Sequence, residues 1–417
     1  MSLKDLRKVT SEVIKKNPTS IVNVDTNTLV HKICFDSPQL TYMFGGFSID
    51  RIHQSFGPES SGKSSYYTYI AGQCQKHVPE YITKLSDDLT KNGKTFRGMT
   101  GKEVAERFSE KQVVVYMDFE RTFDPEYAAN LGLNLDEDHF ILLQPDTLEE
   151  GAKAALEYIE SGSVCACILD SDAMAPTALD LEADPGDTGF NGAKGANVLK
   201  QVYKRFNIAC SNYLTPLLVV SQERANLNVM SHLPSVTGGT AIRFAASTRN
   251  RVTKLDTIKN GSEDVGIQIR VRNYKNKTGT PWRDAIMNLY FKGGFKVDDE
   301  FFDFFSIFDI IHKGNGGVYT ADFLPNGKIR GAENVKQWIT DPAQSKLYEE
   351  LKQQVMLKLL TRNSLDDNNV AIADENGNVV VDDTSTPLSL PNAQSLADEP
   401  MGVATEEGGD SPDLGIK

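Results

Sequence analysis

Eight consecutive residues, Gly57-Pro58-Glu59-Ser60-Ser61-Gly62-Lys63-Ser64, constrain this chain more than any other feature. They fill the pattern G-x-x-x-x-G-K-[ST], which requires a strand before it and a helix after it. The apolar run Ile52–Phe56 precedes the loop and a helix-prone stretch, Ser65 to His77, follows. The glycines let the backbone curl until its N–H groups and the helix N-terminus face phosphates. In that setting Lys63 reaches the terminal phosphates of ATP and the Ser64 hydroxyl ligates Mg²⁺. An accidental Gly/Ser-rich turn would lack the flanking strand and helix.

Three more short apolar runs, Val113–Met117, Val164–Leu169 and Leu217–Val220, end in polar groups: Asp118 with Glu120, Asp170, and Gln222. From about residue 33 to 295 such runs alternate with helical stretches, which predicts a mostly parallel sheet covered by helices. Ligands in open α/β sheets bind at the carboxyl ends of strands, so four such endings point to one shared site. Asp170 would hold the metal. Glu120 suits a general base that orients a water, the alternative being a surface carboxylate that caps the next helix. Gln222 would sense the γ-phosphate, or else bond its own turn.

The rest of the chain divides by composition. Residues 1–32 open with an amphipathic helix over the first sixteen residues, with Leu3, Leu6, Val9, Val13 and Ile14 at helical spacing. The core is expected over 33–297, interrupted by a polar insertion at 77–111 that reads as a helical hairpin or loop. A small α/β lobe follows over 298–362, with Phe301 to Ile311 as an apolar helix, a Gly-rich turn segment at Gly314–Gly331, and a helix carrying Leu347, Leu351, Val355 and Leu359. Residues 363–417 hold 12 acidic residues and one basic, a net of −11 out of the chain's −13. That tail is expected to be disordered. The body is therefore near neutral, and the acidic total does not exclude a nucleic-acid partner. The five cysteines form no C-x-x-C pair and read as reduced thiols. No apolar run is long enough to span a bilayer, and the expected setting is soluble and cytoplasmic.

Taken together, these strings resemble the RecA family. Gly57–Ser64 is its phosphate loop with Ser in place of Thr at the last position. Asp118-Phe119-Glu120, followed by Phe123-Asp124-Pro125, Tyr127-Ala128 and Leu131-Gly132, is similar to its segment carrying the catalytic glutamate and adenine contacts. Gln144-Pro145-Asp146-Thr147, the run Gly238 to Ser247, and Lys275-Asn276-Lys277 match in the same order. The resemblance implies a RecA-type P-loop NTPase core. It implies Glu120 as the residue activating water, Gln222 as the switch to the DNA loops, and Asp124, Tyr127 and Tyr290 as nucleotide contacts. Lys275 and Lys277 would act on the neighbouring subunit's ATP, with Phe244 carrying the coupling at that interface; an ordinary core Phe fits the periodicity equally.

The resemblance also places two loops on DNA, at Glu182–Lys194 and Glu223–Gly239. Phe190, Leu227, Val229 and Met230 would wedge between bases, while Lys194, Arg224 and Arg243 would neutralise phosphates. Three departures stand out: Glu223 replaces an apolar residue of the family, the second loop lacks an aromatic, and no arginine matches the family's basic residue after the first loop, where Lys194 takes the position. With the insertion, they suit a divergent bacteriophage member. The implied activity is a DNA-dependent ATPase. It would assemble as a helical homopolymer on single-stranded DNA and pair it with homologous duplex DNA. A RecA-fold hexameric helicase motor and a non-catalytic mediator are the alternatives.

Overall fold

The computed structural model describes residues 30–182, 191–224, 235–236, 239–368, 372–373 and 379–380. The expected helix over residues 1–16, Phe190, Leu227, Val229, Met230 and most of the acidic tail lie outside the described residues, as do the side chains of Lys194 and Arg224.

The strands in chain order are β1 (Lys32–Ile33), β2 (Phe47–Ser48), β3 (Ile52–Gly57), β4 (Val113–Asp118), β5 (Phe140–Leu143) and β6 (Val164–Asp170). They continue with β7 (Leu217–Arg224), β8 (Ser235–Val236), β9 (Thr248–Asn260), β10 (Glu263–Asn276), β11 (Asp284–Tyr290) and β12 (Gly294–Phe295). The main sheet has ten strands in the order β12-β11-β10-β9-β3-β7-β6-β4-β5, with β8 paired to β7. The six from β9 to β5 run parallel, and β10, β11 and β12 are antiparallel. All four apolar runs are therefore strands, and they are neighbours. Every residue of β6 is buried, because helices cover both faces. That is why it reads as a continuous apolar run instead of an alternating one.

The helices are α1 (Pro38–Phe44), α2 (Lys63–Asn92), α3 (Gly101–Arg107), α4 (Pro125–Asn130), α5 (Leu148–Ser161), α6 (Ala178–Glu182), α7 (Asn191–Tyr213) and α8 (Gly239–Ala245). One core joins α1 to α4 to the sheet through Met43, Tyr66, Ile70, Val78, Val104 and Ile168. The other seats α5, α7 and α8 through Ile159, Tyr203, Phe206 and Ile242 against Cys167 and Leu169.

The insertion is not a separate body. The phosphate-loop helix does not stop at His77; α2 runs through Pro79 to Asn92 and ends on Gly93 in the left-handed region. Pro79 has no N–H for the Gln75 carbonyl, yet burial of Val78, Ile82 and Leu89 on either side carries the helix across it. A short turn then leads into α3, which starts with a reciprocal Thr100–Glu103 capping box. Ser86 of α2 donates to the Gly101 carbonyl at 2.9 Å, so the segment folds back as a helical hairpin.

In the C-terminal lobe, α9 (Val297–Ile307) is shorter than its apolar run. Asp309 turns left-handed at φ 55, and Ile310 and Ile311 both donate back to the Phe305 carbonyl. The Gly-rich segment forms a three-stranded meander, β13 (His312–Lys313), β14 (Val318–Thr320) and β15 (Lys328–Arg330). A helix absent from the sequence reading, α10 (Ala332–Ile339), precedes α11 (Ser345–Asn368). The lobe has its own core, which includes Tyr42 of α1. Residues 363–368 continue α11, and Ile372–Ala373 pairs with Val379–Val380.

Candidate functional site

The ends of the four strands lie in register: Gly57 beside Gln222, and Asp118 beside Asp170. A Cβ on Gly57 would lie 2.1 Å from the Val252 carbonyl oxygen, so only glycine lets the loop leave β3 against β9. The loop turns through Ser60 (φ 57) and Gly62 (φ 89) before α2 begins at Lys63. The Lys63 ammonium donates to the Pro58 carbonyl at 2.6 Å. Burial holds its pKa below the usual lysine value, opposed by the charges of Asp170, Glu120, Glu223 and Glu59.

Glu120 does not cap the next helix; Asp124 does, accepting the Tyr127 N–H at 3.0 Å. Glu120 instead receives the Ser171 hydroxyl at 2.6 Å and the Gln222 amide at 3.1 Å on one oxygen. Gln222 therefore reaches across the strand ends to the candidate base. Asp118 has a different task. It is buried and accepts the N–H groups of Thr122 (3.3 Å) and Phe123 (3.2 Å) and the Gln144 amide (3.0 Å). It thus fixes the loop bearing Glu120 and explains the Gln144 motif.

Asp170 accepts the Tyr116 hydroxyl at 2.7 Å on one carboxylate oxygen, while the other is buried without a partner. Burial pushes its pKa up to about 6, against the hydroxyls of Tyr116 and Ser64 and with the charges of Glu120 and Asp118. An orphaned carboxylate oxygen beside a serine hydroxyl fits a hard divalent cation, so the residues present suit Mg²⁺.

The Tyr127 hydroxyl lies 3.0 Å from Ser65 Oγ at the start of α2, placing that ring beside the phosphate loop. Tyr290 ends β11 at the same end of the sheet as the phosphate loop. Strand alternation turns Leu289 toward Gly62, and the Tyr290 ring faces the other way, under the Lys296 ammonium at 4.3 Å.

A second cluster gathers around the end of α8. Lys275 donates to the Arg243 carbonyl at 2.6 Å and Lys277 to the Phe244 carbonyl at 3.4 Å. Phe244 is 78% exposed, so it is not a core residue. Burial, then the like charges of Lys277, Arg249 and Arg243, lower the Lys275 pKa to about 8. Both ammonium groups thus rest on carbonyls at the end of α8. The second predicted DNA loop leaves from β7 and returns in β8, with Glu223 opposite Val236 and Arg224 opposite Ser235.

The sequence reading missed an ion pair. Glu223 is bound twice by Arg251 of β9, at 2.8 and 3.3 Å, with side-chain exposures of 7% and 23%. The acid that departs from the family pattern is thus compensated by a cation 28 residues later. Ser171 and Tyr116 were also missed, since a lone Ser or Tyr beside a strand-end acid carries no local signal.

Residues 89–296 match the RecA N-terminal domain family; the phosphate loop lies ahead of that segment, beyond most of α2. The Protein RecA of Herpetosiphon aurantiacus is 28% identical over 298 residues, covering 71% of this chain and 72% of that protein. That of Latilactobacillus sakei is 28% identical over 347 residues (82% and 84%), and that of Rickettsia bellii is 29% identical over 298 residues (71% and 75%). With a mostly parallel α/β core, the phosphate loop at its strand ends and these long alignments, the chain is a divergent member of the RecA family.

Proposed function

We propose that this protein is a DNA-dependent ATPase that forms a helical filament on single-stranded DNA and promotes homologous pairing and strand exchange with duplex DNA. The observation that carries the reading is the separation of two half-sites. One is the phosphate loop with Glu120 and Gln222. The other is the outward surface of Lys275, Lys277 and Phe244, where both ammonium groups rest on carbonyls of α8 and the Phe244 ring is 78% exposed. Head-to-tail contact between subunits would join them, and such contacts propagate.

Within the first half-site, Lys63 and the loop N–H groups bind the terminal phosphates and exclude water from them. Ser64 and Asp170 would hold Mg²⁺, which neutralises charge on the phosphate oxygens when bound. Glu120 takes the proton of the attacking water, held in place by Ser171 and Gln222 on its other oxygen. Tyr127 stacks on the base. Gln222 sits two residues before the end of β7, which feeds the second loop, so a change in its partner alters that loop's root. Lys275 and Lys277 reach the neighbour's phosphates. Turnover with and without single-stranded DNA, alongside imaging of the particles, tests the whole. DNA-stimulated hydrolysis on helical filaments is the expected result; closed rings, or no hydrolysis, would point to a hexameric motor or a mediator.

A further inference from the structure

Three adjacent strands and the segment just past a fourth contribute one polar side chain each to an unbroken chain of hydrogen bonds. Asp172 lies two residues past β6, Ser221 on β7, Gln54 on β3 and Arg249 on β9. Ser221 Oγ donates to Asp172 Oδ2 at 2.8 Å and accepts from Gln54 Nε2 at 2.9 Å. Gln54 Oε1 accepts from Arg249 Nε at 2.6 Å. Ser221 and Gln54 are wholly buried, Asp172 nearly so, and Tyr203 donates to the same Asp172 oxygen at 3.3 Å.

The direction of each bond is forced. Arginine carries only donors, so Gln54 must turn its oxygen to Arg249 and its amide nitrogen to Ser221. Ser221 then accepts there and gives its proton to the carboxylate. A cation and an anion are joined by two aligned neutral dipoles. Stability alone does not call for this, since apolar side chains of similar volume would fill the space without desolvating polar groups. A fully satisfied buried polar chain fixes geometry instead.

Its attachments show what it fixes. Ser221 precedes Gln222, and strand alternation turns Gln222 away from the chain, to Glu120. Arg249 is the register partner of Lys275, and its guanidinium lies 4.8 Å from the Phe56 ring centroid. We propose that Ser221 and Gln54 are positioning residues that transmit the placement of β7, set at Gln222, to Arg249 and Lys275 on the surface serving the neighbouring subunit. The inference rests on the reading of that surface given above.

The test is complementation in mixed filaments of full-length protein on single-stranded DNA at saturating ATP. Ser221→Ala breaks the chain at its centre. Its turnover is expected to fall roughly tenfold, equivalent to about 1.4 kcal/mol, while ATP affinity measured without DNA stays within about twofold. Lys63→Ala subunits are inactive but keep an intact outward surface. Mixed one to one with them, Ser221→Ala should regain several-fold turnover per intact phosphate loop, as should a Lys275→Ala reference. If the Lys275→Ala reference is rescued and Ser221→Ala is not, or if Ser221→Ala hydrolyses at the parent rate, the inference is overturned while the shared site stands. If neither is rescued although scattering shows co-assembly, the shared site itself is wrong and the inference falls with it. Gln54→Leu, which keeps the volume and cuts the next bond, is read by the same outcomes should Ser221→Ala not fold.

Discussion

Replacing Arg251 with Met would leave the Glu223 carboxylate enclosed and unpaired. At 2.8 Å and an effective dielectric near 20, the pair attracts by about 6 kcal/mol before desolvation is counted. Most of that is returned by removing both groups from water, and breaking one side of a buried pair costs about 3–5 kcal/mol. Arg251 keeps 23% of its side chain in solvent, so water can approach the orphaned acid and about 2–3 kcal/mol is the better expectation. The double change Glu223→Leu with Arg251→Met removes both charges and should return stability to within about 1 kcal/mol of the parent. Urea denaturation followed by circular dichroism, at constant slope, gives the three differences of a double-mutant cycle. A coupling below about 0.5 kcal/mol, or an Arg251→Met protein as stable as the parent, would refute the claim that the cation compensates the acid.

Other outcomes follow from the site and its surroundings. Lys63→Ala should abolish ATP turnover, because the terminal phosphates lose their point charge; parent-rate hydrolysis would remove the phosphate-loop assignment. Glu120→Gln should retain nucleotide binding and lose most hydrolysis, since the amide takes no proton; filaments that persist in ATP, seen by microscopy, are the check. Lys111 is wholly buried against the Val164 carbonyl and Thr215 Oγ1, and burial lowers its pKa to about 7, against the opposing influence of Cys165, Cys210 and Cys74. Between pH 10.5 and about 7 the unfolded chain takes up a proton that the folded one refuses, so stability falls as pH falls through that window. Denaturation at pH 7 and 9.5 should show the parent gaining up to about 3 kcal/mol over Lys111→Met at the higher pH; parallel behaviour would contradict it. Truncation after Asn368, which spares α11, should tighten duplex-DNA binding most at low salt, where the Debye length is about 30 Å at 0.01 M. Equal affinities across a salt titration would leave the tail a solvating segment.

The strand ends and the phosphate loop were legible because their signals are local. A fully buried strand must be apolar throughout, and a phosphate loop must have glycine where backbone approaches backbone. Pro79 misled because a proline's local cost is small against the tertiary burial of Val78, Ile82 and Leu89 around it. Phe244 was ambiguous because exposure is not written in periodicity. The links from Glu223 to Arg251 and from Gln54 to Arg249 were invisible for a different reason. They join strands that are not neighbours in sequence, and in the second case residues 195 positions apart. The sequence singled out Glu120 as the base and left Asp118 without a task; the backbone N–H groups around Asp118 show that it shapes the loop from which Glu120 is presented.

The length of α2 has a mechanical consequence. Thirty residues at about 1.5 Å each make a rod of roughly 45 Å, whose first residue is the lysine expected to meet the phosphates. A tilt of about 2° at that end displaces Asn92 by roughly 1.5 Å over that length, a shift visible to a spin or fluorescence label pair. Were filling the loop to tilt α2, the hairpin turn beyond Asn92 is where the movement would be read as a distance, far from any group that takes part in the chemistry.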